Sequence, residues 1–170
     1  TVVAWQCAMN AKRPVALIFS RQNIKSLPAL NCSRRDEAKQ ATKGAYIVMD
    51  SAKAKVVMLA SGSEVATLIE GAELLQKEGI AVRVVSVPSE GLFRDQPKSY
   101  QDSILPKDIV RYGMTSGLSI NLRGLVGENG VIHGCDHFGY SAPFKVLDEK
   151  FGYNGQTVYE EVKALLNKNN

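Results

Sequence analysis

Four polar residues near the start of the chain, Ser20, Arg21, Gln22 and Asn23, form its most promising binding motif. They follow the apolar run Val15–Phe19, which does not alternate and therefore predicts a strand buried on both faces. Ligands of open parallel sheets bind beyond the carboxyl ends of the strands. An arginine fork can hold a phosphate through two parallel hydrogen bonds, with amides donating beside it. Arg21 is thus a candidate phosphate ligand, and a solvated turn is the simpler alternative.

A second group of reactive side chains comprises His133, Cys135, Asp136 and His137. All four are of types that bind zinc. In an extended segment, however, residues 133, 135 and 137 share one face and Asp136 points away from it. No second ligand cluster in the sequence completes the set. We therefore expect structural roles here and assign no metal ligand.

Two further motifs lack the surroundings that their chemistry requires. Ser141 is not in a GxSxG elbow, and Ala142-Pro143 after it predicts the first turn of a helix. Gly62-Ser63-Glu64 opens a predicted helix, whose amino end attracts anions, but the glycines of a dinucleotide fingerprint or P-loop are missing. We expect Ser63 to cap that helix. We assign no catalytic and no cofactor-binding residue.

The composition describes a globular protein of 170 residues, 45% hydrophobic and 22% charged, with room for one domain or one domain and part of another. No apolar run approaches the roughly 18 residues of a membrane span, and no signal peptide is evident, so we expect a soluble cytoplasmic protein without a membrane partner. A net charge of +4, with bases and acids interspersed, does not indicate nucleic-acid binding. The 3 cysteines have no CxxC spacing and predict reduced thiols.

The elements that position these motifs fall into two groups. Residues 2–11 have apolar side chains at helical spacing and lead into the strand at 15–19, which makes half of an α/β unit. Because the chain opens inside such a unit, we expect it to be the tail of a longer polypeptide. The polar stretch at residues 33–43 has no apolar periodicity and predicts an interdomain linker.

From Ala45 onward the sequence predicts one α/β/α domain with a mostly parallel sheet. A strand, a helix and a strand over residues 55–87 predict a right-handed parallel crossover, with Gly79 ending the helix in a left-handed conformation. Short helices and turns are expected over residues 89–106, and a final helix over 154–166. The predicted strands cover residues 45–49, 55–60, 81–87, 109–114 and 130–134.

Eight motifs occur along the chain in a fixed order: SRQN at 20–23, KGAYIV at 43–48, LASGSEV at 59–65, VRVVSVPS at 82–89, SILP at 103–106, Asp136 with Phe138-Gly139, SAP at 141–143 and KFG at 150–152. In this order they resemble the carboxyl-terminal region of transketolases over nearly the whole chain. The resemblance implies that residues 1–30 end the pyrimidine-binding domain, 31–44 are a linker, and 45–170 are the transketolase C-terminal domain.

Transketolases move a two-carbon ketol unit between sugar phosphates in the pentose phosphate pathway, and the resemblance implies this function. It also implies a homodimer whose site between subunits holds thiamine diphosphate and magnesium or calcium. One substrate residue carries over, Arg21, as the phosphate contact. Nothing resembles the family's GDG motif, its cofactor-activating glutamate or its sugar-binding histidines. We therefore expect the chain to support the dimer, to bind no cofactor alone and to be inactive alone.

The sequence also departs from the family pattern. It has Glu90-Gly91 where Trp-Glu is usual, Thr115 in place of an acidic residue, and Asn121-Leu122 in place of glycine and tryptophan. The changes at residues 115, 121 and 122 lie where the family makes packing and subunit contacts, around residues 115–125. None of the changes lies in the loop that contains Arg21. Two alternatives stay open: a dihydroxyacetone synthase or other thiamine enzyme, and a non-catalytic regulatory or interaction module.

Overall fold

The computed structural model describes residues 1–169 and is organised around a five-stranded sheet in the order β1-β3-β2-β4-β5. The strands are β1 Tyr46–Asp50, β2 Val56–Ala60, β3 Val82–Ser86, β4 Val110–Met114 and β5 Val131–His133. Strands β2 to β5 run parallel, as expected, and β2 and β3 form the predicted parallel crossover. Strand β1 pairs antiparallel with β3 at one edge, a reversal that the sequence pattern did not indicate.

Helices cover both faces of the sheet, which confirms the three-layer architecture. The helices are α1 Val2–Asn10, α2 Arg34–Glu37, α3 Glu64–Lys77, α4 Glu90–Arg94, α5 Lys98–Ile104, α6 Arg123–Val126, α7 Phe144–Phe151 and α8 Gly155–Lys168, with 3-10 turns at Ala38–Lys43 and Ser119–Leu122. One face of the sheet packs against the helices α3 and α8, the other against α4, α5 and α6. All of β2 is 0% exposed, because helices cover it above and below and strands flank it on both sides.

Helices α3 and α8 cross at two glycines. A Cβ atom built on Gly71 would lie 2.5 Å from Cγ1 of Val158, and one built on Gly155 would lie 2.7 Å from Cβ of Glu70. Both distances are well inside van der Waals contact, so any larger side chain would push the two helices apart. The glycines therefore permit the close packing that buries Val158 and Leu68 against the sheet.

The two ends of α3 differ in how they are capped. Gly79 follows its carboxyl end at φ +77°, which confirms the expected left-handed cap. The prediction that Ser63 caps the amino end is wrong. Ser63 already has helical angles, φ −63° and ψ −35°, and its hydroxyl lies 3.2 Å from a carboxylate oxygen of Glu64. A capping side chain needs an extended backbone to reach the amides ahead of it.

The predicted strand at Val15–Phe19 does not form. The preceding helix α1 is confirmed, but residues 14–29 have no regular secondary structure, and Ile18 is 93% exposed. The apolar run indicates burial but does not specify the strand that would pair with it, and none of the strands within residues 1–169 adjoins it. Among residues 1–169, no helix is long and apolar enough to cross a bilayer.

Candidate functional site

A crevice of about 670 Å³ opens at the carboxyl ends of β2 and β4. Ser61–Glu64 and Thr115-Ser116 follow the two strands, Tyr140 and Asp148 also line the crevice, and the irregular segment before α2 contributes Ala16, Ile18, Phe19, Ser20 and Gln22. The sequence predicted a site beyond the carboxyl end of a strand at residues 15–19, which does not form; the crevice lies instead at the carboxyl ends of β2 and β4, a usual place for ligands of open sheets. Its lining combines apolar, hydroxyl and carboxylate side chains.

Arg21 lies between Ser20 and Gln22, which both line the crevice, although Arg21 itself is not one of the lining residues. Its side chain is exposed, and within residues 1–169 it forms neither an ion pair nor a side-chain hydrogen bond. The preceding residue, Ser20, lies beside the turn before α3, where a Cβ on Gly62 would lie 3.9 Å from Oγ of Ser20. Arg21 is therefore an exposed cation that adjoins the crevice lining.

The stretch from Ser20 to Cys32, here called the Arg21 segment, is attached to the domain by side-chain contacts alone. Near its middle, Lys25 forms an ion pair with Glu70 on α3, and Leu27 packs against the core between α3, α8 and the sheet. Lys25 is largely exposed and Glu70 is about half exposed, so their ion pair contributes little. The segment runs over α3, whose amino end faces the crevice.

Glu37 anchors the far end of the Arg21 segment. Its Oε1 accepts hydrogen bonds from the backbone N–H groups of Leu30 and Asn31, both at 2.7 Å, and from that of Cys32 at 3.4 Å. Its Oε2 accepts one from the Arg34 guanidinium at 2.9 Å. The Asn31 N–H, helped by the other donors, lowers the pKa of Glu37 despite burial. Glu37 is therefore ionised at neutral pH.

The inner part of the crevice is acidic. Asp148 and Glu64 both line it, and burial, followed by repulsion from Glu64, raises the pKa of Asp148. Burial also raises the pKa of Tyr153 to about 12, so its hydroxyl keeps a proton, which it donates to the Thr115 carbonyl at 2.8 Å. Carboxylates disfavour a phosphate among them. The two carboxylates therefore disfavour an anion in their part of the crevice.

His133 belongs to a structural network. Its Nδ1 lies 3.0 Å from Oε1 of Glu161, its Nε2 lies 2.8 Å from the Phe151 carbonyl, and the Tyr112 hydroxyl donates to Oε2 of Glu161 at 2.7 Å. Because a carbonyl only accepts, Nε2 must carry a proton, and a charged ring can donate to both partners. The hydrogen bond with Glu161 raises the pKa of His133, in opposition to burial.

The other residues of this cluster, Cys135, Asp136 and His137, do not form a single site. Asp136 accepts a hydrogen bond from the N–H of Ser119 at 2.9 Å, while Cys135 Sγ lies 3.9 Å from Nδ1 of His137. Across residues 1–169, no three His, Cys, Asp or Glu side chains come together in a way that could hold a metal. The side chains therefore join neighbouring loops, and His133 joins β5 to α8.

Sequence reasoning missed Glu37 and the Tyr112–Glu161–His133 network. A signal for the first existed, because Ser33 followed three residues later by Asp36 fits a capping pattern, and Ser33 Oγ does accept the N–H of Asp36 at 3.1 Å. That pattern predicts α2 inside what was interpreted as a linker, although not the buried role of Glu37. Residues 112, 133 and 161 are far apart in sequence, and nothing local connects them.

Comparisons with known proteins agree with one another. The family model of the transketolase-like TK C-terminal domain matches residues 44–154. Transketolase from Halalkalibacterium halodurans is 38% identical over 98% of this chain, which covers 25% of that protein. The crystal structure of transketolase from Campylobacter jejuni is 34% identical, with a TM-score of 0.84 over 96% of this chain and 24% of that one.

A third relative was solved with a ligand. It is transketolase from Pichia stipitis in complex with sedoheptulose-7-phosphate, 25% identical with a TM-score of 0.75 over 85% of this chain and 20% of that one. The present chain spans about a quarter of the length of the curated relatives that it matches. The family model, the sequence relatives and the solved structures together show that the chain belongs to the transketolase family and corresponds to its C-terminal region.

Proposed function

We propose that this chain serves as the C-terminal part of a transketolase that depends on thiamine diphosphate and transfers a two-carbon ketol unit between sugar phosphates. Family membership supports the reaction, and the Pichia stipitis relative was solved with a sugar phosphate. Residues 1–30 would end the pyrimidine-binding domain, 31–44 would link the domains, and 45–170 would form the C-terminal domain. The enzyme would be a cytoplasmic homodimer of the pentose phosphate pathway.

The residues present do not fit the cofactor. Thiamine diphosphate supplies carbanion chemistry when it is bound, and magnesium or calcium would hold its diphosphate. Residues 1–169 offer no cluster of three acidic, histidine or cysteine ligands, and the sequence has no glycine-rich phosphate loop. The cofactor would therefore be bound by domains other than those present in this chain. The isolated chain is expected to be inactive.

Arg21 carries the proposal for this chain's own contribution. It is an exposed cation between Ser20 and Gln22, which line the crevice, and it has no ion-pair partner in residues 1–169 and is followed by the neutral donors Gln22 and Asn23. Its guanidinium would donate two hydrogen bonds to phosphate oxygens of the sugar substrate. The carboxylates of Glu64 and Asp148 deeper in the crevice would keep the phosphate on the outer side.

The exposed apolar side chains support a place within a larger assembly. Ile18 is 93% exposed and Phe138 is 96% exposed, and Trp5 and Phe19 are about half exposed. Ile18 and Phe19 are adjacent in sequence, and exposed apolar side chains that lie together mark protein contacts. In the proposed enzyme, upstream domains or the second subunit would cover them.

A variant of Arg21 tests the phosphate contact in the active assembly, which is this chain together with the upstream transketolase domains on one polypeptide or two. Arg21→Ala should raise KM for phosphorylated substrates about 10- to 100-fold, the loss expected for a charge-assisted hydrogen bond, and should leave unphosphorylated analogues nearly unchanged. Arg35→Ala is the matched control, because Arg35 is also exposed but, unlike Arg21, has no sequence neighbour among the residues that line the crevice. An equal loss for both substrate classes would overturn the assignment.

A non-catalytic interaction or regulatory module is the second candidate, and the exposure of Ile18 and Phe138 favours it. A dihydroxyacetone synthase-like enzyme would use the same cofactor, but the sugar-phosphate complex of the Pichia stipitis relative favours a transketolase. Ketol transfer in the complete assembly separates these possibilities. A silent assembly would favour the interaction module, and transfer to formaldehyde in preference to aldose phosphates would favour the synthase.

A further inference from the structure

Glu37 is a buried carboxylate that the proposed phosphate contact does not use. Only 4% of it is exposed, although glutamates are rarely buried to this extent. It lies on α2, in a short helical stretch that connects the Arg21 segment to β1. The burial of a charge without partners is costly, so the groups around Glu37 indicate its task.

The partners of Glu37 come almost entirely from the end of the Arg21 segment. Three consecutive backbone N–H groups, those of residues 30 to 32, point at one oxygen, Oε1. The other oxygen is held by Arg34, whose guanidinium also donates to the Tyr46 hydroxyl at 2.8 Å. Through this chain of contacts the end of the Arg21 segment is fixed to β1 and hence to the sheet.

The other attachments of the Arg21 segment are weaker. Between residues 20 and 32 no helix or strand imposes a path. The Lys25–Glu70 pair is exposed, and Leu27 is only partly buried. Glu37 therefore supplies the one buried polar attachment found for this segment in residues 1–169. Arg21 lies nine residues before Leu30 in this segment, and Lys25, which pairs with Glu70 on α3, lies between them.

We propose that Glu37 is a positioning residue for the substrate phosphate: by fixing residues 30–32 it limits where the Arg21 segment lies on α3, and so holds Arg21 beside the residues that line the crevice. This inference rests on the proposed function, because it gives Glu37 a role only if Arg21 contacts the phosphate. A binding group has to be held within a fraction of an ångström by the residues behind it, and loosening that support weakens binding without removing the group.

The test compares Glu37→Gln with Arg21→Ala in the active assembly, with KM and kcat measured for a phosphorylated aldose acceptor and for its unphosphorylated analogue. The glutamine keeps an acceptor for the three N–H groups but loses the charge, so the fold should survive. We expect KM for the phosphorylated acceptor to rise roughly three- to tenfold, with kcat and the unphosphorylated analogue unchanged. Asp36→Asn is the matched control, since Asp36 is the adjacent carboxylate and contacts only Ser33 and Lys39.

The two proposals fail in different ways. If Arg21→Ala discriminates against phosphorylated substrates and Glu37→Gln leaves KM unchanged, or shifts both substrate classes equally, the positioning role is wrong and the phosphate contact stands. If Arg21→Ala itself does not discriminate, the proposed function fails first. Should Glu37→Gln not fold, Glu37→Asp replaces it, because this change keeps the charge but draws the carboxylate back by one methylene from the three N–H groups; the same phosphate-selective rise is then expected.

Discussion

Arg21, Glu37 and His133 are three polar residues in contrasting surroundings. Arg21 is exposed at a crevice, whereas Glu37 and His133 use the hydrogen-bonding atoms of their side chains on neighbouring groups. Partly buried charged groups with full sets of partners hold the fold together, and removing one partner leaves the other unsatisfied. An exposed charge near polar neighbours costs the fold nothing and is free to bind. The division between support and binding is therefore visible at single residues.

The His133 network predicts a dependence of stability on pH. The pKa of His133 is raised by its hydrogen bond with Glu161, so the charged form is favoured in the folded chain. The stabilisation is present in full below the unfolded value of about 6.5 and is lost as pH rises through the higher folded pKa. Chemical denaturation of the chain at a series of pH values should show this decline in the free energy of unfolding.

Substitution of each histidine locates the effect. His133→Gln should lower stability at about pH 6 and flatten the decline above it, because the charge that donates to Glu161 is gone. His137→Gln is the matched control, since it removes the only other histidine of the sequence and should preserve the decline. A decline that persists in His133→Gln would show that another group titrates.

At this scale the sequence singled out Arg21, whose phosphate contact stays a prediction, and missed Glu37 and Glu161. Arg21 was singled out because its pattern is local: a cation and two amides directly follow an apolar run. The role of Glu37 depends on a chain reversal that brings residues 30–32 over α2, and that of Glu161 depends on α8 packing across β4 and β5. Such contacts are products of tertiary structure, so no spacing in the sequence reveals them.

At the scale of elements, the buried strands followed from sequence more reliably than the exposed segment. Strands β2 and β3 and helix α3 lie within one or two residues of their predicted bounds, because continuous apolar runs and a three-and-four spacing match the two faces of a covered sheet. The run at residues 15–19 has the same composition but no pairing strand within residues 1–169. Its failure shows that an apolar run predicts a strand only where a partner is available.

The crossing of α3 and α8 predicts a sharp difference between two glycines. Gly71→Ala places a methyl group against Val158 and should lower the free energy of unfolding by about 1–3 kcal/mol, less a gain of at most about 1 kcal/mol in helix propensity. Gly91→Ala in α4 is the matched control, because a Cβ atom there meets nothing within 4 Å. It should be neutral or stabilise by about 0.5–1 kcal/mol. Thermal or chemical denaturation of the two variants decides; equal effects would show that the helices do not pack as described.

On the scale of the whole molecule, the chain combines a buried interior with a surface that exposes several large apolar side chains. The β sheet and its two helix layers bury two apolar clusters, one on each face of the sheet, whereas α1, the Arg21 segment and the loop around Phe138 expose large apolar side chains. A transketolase C-terminal region that joins further domains accounts for both features. In that view the C-terminal domain holds the Arg21 segment against α3 and the acidic crevice while other domains provide the cofactor.

The most direct test is a coupled ketol-transfer assay on the purified 170-residue chain with thiamine diphosphate and magnesium, repeated after addition of a polypeptide that supplies the upstream transketolase domains. We predict no activity from either part alone and activity on mixing, because the cofactor site and the phosphate contact then come together. Activity of the chain alone would contradict the absence of a cofactor site, and an inactive mixture of folded parts that associate would contradict the proposed function.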